Sequence, residues 1–224
     1  MTNYWSQGSI PYSWYQKNVT LDWSGSDDTR SADPNWGHGK ITYKYNAQGF
    51  RTYDLVSLYG QDVNLALGCS FTEGIGLPIE LCWPTIIEQE TSLPMLNLGL
   101  GSGSTDTVAR ILSNVVTMFN IKTVYILWPS ANRFELYEPN QIVPLIPSSS
   151  RVEYTWNIDQ FNSAQRFFKN KQIVNLLSSS FGFKTIEQDI SDCREWVVPN
   201  DLARDQQHHG VQSHQNLAKL FLNH

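Results

Sequence analysis

The sequence has few cysteines and no long apolar run, and each shortage excludes a class of protein. Its 224 residues contain three cysteines, Cys69, Cys82 and Cys193. So sparse and odd a set predicts reduced thiols rather than a disulfide framework or a zinc site. The longest clear apolar runs are about five residues, far short of the roughly 18 that a membrane-spanning helix needs. We therefore expect no membrane span and no structural metal.

Charge is also scarce. Lys and Arg number 16 against 21 Asp and Glu, for a net charge of −5, and no segment is rich in Lys and Arg. This balance excludes an electrostatic nucleic-acid binder. A hydrophobic fraction of 41% is too high for a disordered chain. The N-terminus has neither a basic region nor an apolar stretch, so we expect no signal peptide and, by default, a cytoplasmic location.

The chain divides near residue 60. Residues 1–60 show no helical period, and residues 41–46 alternate like a short strand. We predict that residues 1–60 form an aromatic-rich extension packed on a main domain of residues 61–224. A carbohydrate-binding platform is the alternative, although scattered aromatic residues serve packing more often than ligand binding. The aromatic residues of this segment are Tyr4, Trp5, Tyr12, Trp14, Tyr15, Trp23, Trp36, Tyr43, Tyr45, Phe50, Tyr53 and Tyr59.

After residue 60, apolar strands alternate with helical patterns. Strands are predicted at 63–67, 95–98, 124–128 and 183–186, and helices at 84–91, 105–119, 161–177 and 217–221. Residues 134–156 hold three prolines and a serine run, which predicts a long loop acting as a lid or substrate wall. The alternation favours an α/β domain with a mainly parallel sheet.

Polar residues suited to acyl transfer follow the predicted strands. Ligands of parallel α/β sheets bind beyond the carboxyl ends of the strands. Ser70 follows the first strand, a glycine-rich loop the second and Asn132 the third, while Asp205 and His208 lie beyond the fourth. A serine needs a base such as histidine, the imidazole needs an orienting carboxylate, and an oxyanion needs N–H donors.

These segments resemble the SGNH (GDSL-like) hydrolase family. The Gly-Asp-Ser of its first block corresponds to residues 68–70, and its Asp-x-x-His corresponds to residues 205–208. Asn132 falls on the Asn of the third block, and Ser102 falls on the glycine of the second block when counted from Asn97. The blocks occur in the family's order over about residues 62–223. Residues 45–51 are also similar to a segment that precedes the first block in some members.

The resemblance implies a flavodoxin-like three-layer α/β/α sandwich with a mainly parallel sheet. It also implies a serine esterase that uses no metal and no cofactor. In that role Ser70 is the nucleophile, His208 is the base and then the acid, and Asp205 holds the His208 tautomer. The implied oxyanion donors are the Ser70 amide, the Ser102 amide or that of its neighbour Gly103, and the Asn132 side chain.

The sequence departs from the family in three places and leaves rivals for two roles. Cys69 replaces the aspartate of the first block, Ser102 replaces a glycine, and Arg133 follows Asn132 where the family often has an aspartate. Cys69 and Arg133 are candidates for the substrate wall. His209 competes with its neighbour His208, and Asp201 competes with Asp205, although a turn or cap is the commoner role for such an aspartate.

The expected activity is hydrolysis of a short acyl ester through an acyl-Ser70 intermediate. The partner is then a small-molecule or carbohydrate ester, with an acetyl group on a carbohydrate as the first candidate. Two alternatives stay open. One is a carbohydrate-binding or structural module with a degenerate site. The other is an acyltransferase, or an esterase of lipids or thioesters, that uses the same triad.

Overall fold

After residue 60 the chain combines parallel strands with intervening helices, apart from an extra pair of strands after the third strand of the sheet. The computed structural model describes residues 20–22, 37, 41–46, 48–138, 141–145, 152–192 and 194–224. The strands are β1 (Thr20–Asp22), β2 (Thr42–Lys44), β3 (Asp62–Leu67), β4 (Met95–Asn97), β5 (Asn120–Trp128), β6 (Phe134–Glu138), β7 (Gln141–Leu145) and β8 (Lys184–Asp189). The α-helices are α1 (Ser70–Glu73), α2 (Trp83–Thr91), α3 (Thr105–Val115), α4 (Val152–Phe181) and α5 (Val211–Leu222). Two short 3₁₀ turns cover Leu55–Leu58 and Ile79–Leu81.

Four of these strands form the central sheet. Their spatial order is β4-β3-β5-β8, and every adjacent pair is parallel. The first strand of the sheet in chain order therefore lies between the second and the third. The connection after β3 leads to one side of that strand, and the connection after β4 leads to the other side. The carboxyl ends of β3 and β5 therefore border a crevice suited to a ligand.

Alternate residues of the strands enter two separate cores. Leu65 of β3 and Ile126 of β5 lie in the core covered by α3 and α4. Ala66 and Leu127, one position along each strand, lie in the core covered by α2 and α5. Because successive strand residues point to opposite faces, the sheet is buried on both sides. The predicted three-layer α/β/α arrangement with a parallel sheet is confirmed.

Helix α3 illustrates why the sequence pattern predicts the helices well. Ser104 caps it, accepting the Thr107 N–H while the Thr107 hydroxyl accepts the Ser104 N–H. The helix therefore begins one residue beyond Ser104, and its apolar stripe faces the sheet. The apolar positions predicted for this segment are all buried, namely Val108, Ile111, Leu112, Val115, Val116 and Phe119.

The predicted long loop over residues 134–156 is wrong. Residues 134–138 and 141–145 form an antiparallel pair of strands, β6 and β7, in which Glu135 lies opposite Pro144. Both strands of a two-stranded sheet are edge strands, and an edge strand tolerates a proline such as Pro144, which has no N–H to donate. Helix α4 then begins at Val152. The prolines and serines concealed this alternation in the sequence.

Residues 41–59 pack closely against the sheet domain. Tyr43, Phe50 and Leu55 are fully buried, whereas Tyr53 and Tyr59 are each 48% exposed. The other aromatic residues predicted for the extension lie outside the described residues, as does Cys193. The division at residue 60 stays a prediction. Across the described ranges, no helix combines the length and the apolar character required to cross a membrane.

Candidate active site

Ser70 lies where β3 ends at the crevice. The chain leaves β3 at Leu67, turns through Gly68 and Cys69, and begins α1 at Ser70. Ser70 is half-buried and open on one side, whereas Cys69 is fully buried. A side chain with no exposed surface cannot contact a substrate. The expectation that Cys69 lines a substrate wall is therefore corrected, and its role is packing.

Three side chains from distant parts of the chain form a hydrogen-bonded series. The Ser70 Oγ lies 2.8 Å from the His208 Nε2. On the other side of the ring, the His208 Nδ1 lies 2.5 Å from the Asp205 Oδ2. An ionised carboxylate can only accept, so the Nδ1 carries the proton and the Nε2 lone pair faces the serine hydroxyl. This arrangement can draw the proton from Ser70 when its oxygen attacks a carbonyl carbon.

The environment of Asp205 keeps it ionised. Its side chain is 1% exposed, while that of His208 is 18% exposed. Burial raises the pKa of Asp205, but the hydrogen bond and charge of His208 outweigh it, and the pKa lies below its usual value. The backbone N–H groups of Gln207 and His208 also donate to the Asp205 Oδ1, at 3.0 and 3.1 Å. The carboxylate is thus fixed in place as well as charged.

The rival histidine and aspartate have other contacts. The His209 ring packs edge-on against Trp196 and also contacts Phe71, with ring centroids 5.1 and 5.0 Å apart. Burial, together with the charge of His208, lowers the pKa of His209. Asp201 accepts the Ser213 N–H at 2.6 Å and so caps the first turn of α5. Only His208 and Asp205 join Ser70, within the described residues.

The loop after β4 packs directly against the turn that carries Ser70. The Asn97 side chain donates to the Thr72 carbonyl of α1 at 2.8 Å and accepts the Gly99 N–H at 3.1 Å. A Cβ on Gly99 would lie 2.5 Å from the Glu73 backbone nitrogen, so only glycine permits this approach. The contacts hold the glycine-rich loop beside α1.

Ser102 and Gly103 differ in what their amides do. Ser102 has a φ of +61°, in the left-handed region that favours glycine. The turn accommodates a serine there, and the Ser102 N–H has no acceptor in the described part of the chain. The Gly103 N–H instead donates to the Leu100 carbonyl at 2.9 Å. The expectation that Gly103 supplies an oxyanion donor is corrected, because its only N–H is already used.

Asn132 and Arg133 lie in the turn beyond β5. Asn132 is exposed and Arg133 is half-buried, and the Arg133 N–H closes the turn on the Ser130 carbonyl at 3.0 Å. Among the described residues, neither side chain has a hydrogen bond to Ser70 or His208. Asn132 therefore lies at the predicted edge of the sheet, and its oxyanion role stays a prediction, as does the substrate-wall role of Arg133.

Phe71 is a site residue that the sequence analysis missed. It follows Ser70, is half-buried, and places its ring 4.9 Å from that of His208. The contact supports one side of the imidazole. No local pattern distinguishes such a phenylalanine from a core residue, because its partners lie far along the chain.

Two further features bear on what the site can bind. Within the described ranges, no three His, Cys, Asp or Glu side chains cluster as metal ligands would. A cavity of about 630 Å³ lies elsewhere, and its lining includes Tyr53, Glu80, Glu88, Met95 and Asn97 but none of the three hydrogen-bonded residues.

Comparison with known proteins gives matches among solved structures. The chain is similar to a lipolytic protein of the G-D-S-L family from Veillonella parvula DSM 2008, with 10% identity over 73% of this chain and 97% of that one, at a TM-score of 0.38. It is also similar to a protein assigned to the same family from Desulfitobacterium hafniense DCB-2, with 13% identity over 70% and 95% of the two chains, also at 0.38. No protein-family model and no curated protein matches the chain.

Proposed function

We propose that this protein is a serine esterase of the SGNH type that hydrolyses a short acyl ester through an acyl-Ser70 intermediate. One observation carries the proposal: Ser70, His208 and Asp205 are hydrogen-bonded in series, at 2.8 and 2.5 Å, at the crevice end of β3. Asp205 is buried while Ser70 and His208 are partly open, as a nucleophile and base that meet a substrate must be.

The acylation step follows from this geometry. The Ser70 Oγ attacks the ester carbonyl carbon while its proton passes to the His208 Nε2. The imidazolium is stabilised by the Asp205 carboxylate, which keeps its charge. The carbonyl oxygen becomes an oxyanion, for which the Ser70 and Ser102 N–H groups and the Asn132 side chain are the proposed donors. The tetrahedral species then breaks its bond to the alcohol oxygen, which takes the proton from the Nε2.

Deacylation repeats these steps with water. The His208 Nε2 takes a proton from water as the water oxygen attacks the acyl carbon. The second tetrahedral species releases the carboxylic acid, and the Ser70 Oγ takes back the proton. The proton of Ser70 leaves with the alcohol and a proton from water replaces it, so the enzyme regains its starting state and only ester and water are consumed.

For the substrate we propose a short acyl group, such as an acetyl group on a carbohydrate. Residues 1–60 support it by their aromatic content, and within them Tyr59 presents 48% of its surface to solvent. Rings with a polar tip suit surfaces that are apolar on one side and wet on the other. A series of p-nitrophenyl esters tests the acyl length: kcat/KM should be highest for acetate, and a preference for octanoate would refute a short-acyl site.

The test of the triad compares two neighbouring histidines. Hydrolysis of p-nitrophenyl acetate near pH 8 is measured for the wild type, Ser70→Ala, His208→Ala and His209→Ala. Losing the nucleophile or base should lower kcat by about 10⁴-fold or more. His209→Ala should change kcat less than about tenfold, because the His209 ring packs on Trp196 and is not bonded to Ser70.

The outcomes separate the candidate functions. A wild type as active as Ser70→Ala would contradict the proposed nucleophile. Saccharide binding without turnover, unchanged in Ser70→Ala, would indicate a binding module with a degenerate site. Product that forms only with an alcohol acceptor would indicate an acyltransferase.

A further inference from the structure

Residues 42–46 and 48–51, which comprise β2 and the chain after it, form a segment that packs against the helix that carries Ser70. Tyr43, Tyr45 and Arg51 of this segment are 0–2% exposed, although each bears a polar group. Buried polar groups are costly unless they are hydrogen-bonded. Each of the three has a hydrogen-bond partner in α1 or in the turn that follows it, so the segment is attached to the nucleophile's own element.

Tyr45 holds the end of α1 through a buried carboxylate. Its hydroxyl donates to the Glu73 Oε1 at 2.8 Å, and Glu73 is fully buried. Glu73 lies three residues after Ser70, in the same helical turn. The hydroxyl therefore donates to a buried carboxyl group three residues from the nucleophile, and Tyr45→Phe removes that hydrogen bond.

Arg51 binds the backbone that follows the same turn. Its guanidinium donates to the Gly74 carbonyl at 2.6 Å and to the Leu77 carbonyl at 2.9 Å. The guanidinium carbon lies 4.4 Å from the centre of the Tyr43 ring. A planar group with donors in a fixed fork can join two carbonyls in one geometry, which a lysine cannot do.

Tyr43 extends this connection to the aspartate. Its hydroxyl oxygen accepts the Gly76 N–H at 2.8 Å, and the Gly76 carbonyl accepts the Arg204 N–H at 3.0 Å. Gly76 lies so close to Asp205 that a Cβ added to it would be 3.0 Å from the Asp205 Oδ1. The turn at residues 74–77 thus contacts the loop that supplies Asp205, and the same segment supports both ends of the triad.

We infer that Tyr43, Tyr45 and Arg51 are positioning residues, which keep the Ser70 Oγ at hydrogen-bond distance from His208 by fixing α1 and the turn at residues 74–77. This inference rests on the proposed function. None of the three touches the reacting atoms. Their effect passes through Glu73 and Gly76, and a small displacement of a nucleophile lowers the rate of the chemical step far more than it weakens binding.

The experiment compares two tyrosines that each lose one oxygen atom. Tyr45→Phe removes the bond to Glu73, and the control Tyr53→Phe removes a bond of the same kind to Glu88 Oε1, 2.7 Å long, on α2. For Tyr45→Phe we expect kcat on p-nitrophenyl acetate to fall about 10- to 100-fold with KM within about twofold. Tyr53→Phe should keep wild-type kcat and KM.

A second readout needs no ester turnover. The rate at which a fluorophosphonate probe labels Ser70 should fall in Tyr45→Phe in parallel with kcat. Circular dichroism of both variants shows whether the fold is intact. If Tyr45→Phe does not fold, Tyr43→Phe replaces it, since it removes the acceptor of the Gly76 N–H, and the same loss of kcat is expected.

The two proposals fail differently. A wild type that neither hydrolyses the ester nor takes up the probe refutes the proposed function, and the inference fails with it. An active wild type with Tyr45→Phe equally active refutes the positioning role alone. A rise in KM at unchanged kcat also overturns it, because that result would place Tyr45 in substrate binding.

Discussion

His214 makes the free energy of unfolding depend on pH, and it does so at pH values well above those at which carboxylates titrate. The side chain lies in α5, is 1% exposed, and its Nδ1 accepts the Trp83 N–H of α2 at 3.1 Å. Burial lowers the pKa of His214 to about 3, with smaller contributions from the charges of His209 and His208. A protonated ring would have no lone pair for the Trp83 N–H, so the folded state holds this histidine neutral.

The sign and size of the effect follow from that pKa. In the unfolded chain the ring titrates near 6.5, so between about pH 3 and pH 6.5 the unfolded state binds a proton that the folded state does not. Stability is therefore lost as the pH falls below 6.5, by about 1.4 kcal/mol per pH unit. From pH 7 to pH 5 this single group should cost about 2 kcal/mol of the free energy of unfolding.

Urea unfolding followed by tryptophan fluorescence at pH 7, 6 and 5 measures the effect. His214→Asn is the test variant, because its side-chain oxygen can accept the Trp83 N–H and does not titrate. The variant should be less stable than the wild type at pH 7, since it is smaller, but should lose about 2 kcal/mol less on acidification. Equal losses in the two proteins would refute the assignment of the pH dependence to His214.

Two further substitutions test the elements around Ser70. A Cβ on Gly68 would lie 2.2 Å from the Thr72 Oγ1, so Gly68→Ala should cost about 2–3 kcal/mol of stability and most of the activity. Gly60→Ala, at a φ of +70° but in open space, should cost only about 1 kcal/mol; equal losses in urea unfolding would contradict the steric reason. Asp201→Ala removes the acceptor of the Ser213 N–H. It should lower the melting temperature by about 2–4 °C and leave kcat unchanged. A large loss of kcat would show that Asp201 belongs to the site.

The sequence predicted the sheet domain well because its signals are local. Apolar runs marked all four strands of the central sheet, and spacings of three and four residues marked α3 before its burial was known. Helix α4 begins at Val152, earlier than the predicted 161, because the prolines and serines of residues 134–156 favoured a loop over that stretch. The hairpin of β6 and β7 was missed for a related reason, since Pro144 within a strand is typical of loops.

The meeting of Ser70, His208 and Asp205 could be anticipated because a parallel sheet brings together residues that lie far apart in the sequence. Residues that follow different parallel strands meet at one edge of the sheet, so Ser70 and His208 were expected together although 138 positions separate them. The spacing of three residues favoured Asp205 over Asp201. The sequence did not distinguish Ser102 from Gly103, because that choice depends on which N–H the Leu100 carbonyl accepts.

The sequence by itself therefore determined the layer architecture and the residue types at the crevice, because periodicity and chain order are properties of short segments. Only the tertiary structure decided which groups are hydrogen-bonded there. The Tyr45 hydroxyl and the Glu73 carboxylate are 28 residues apart and carry no shared pattern. The partner of a buried polar side chain depends on how separate helices and strands pack, because a hydrogen bond needs donor and acceptor within about 3 Å of each other.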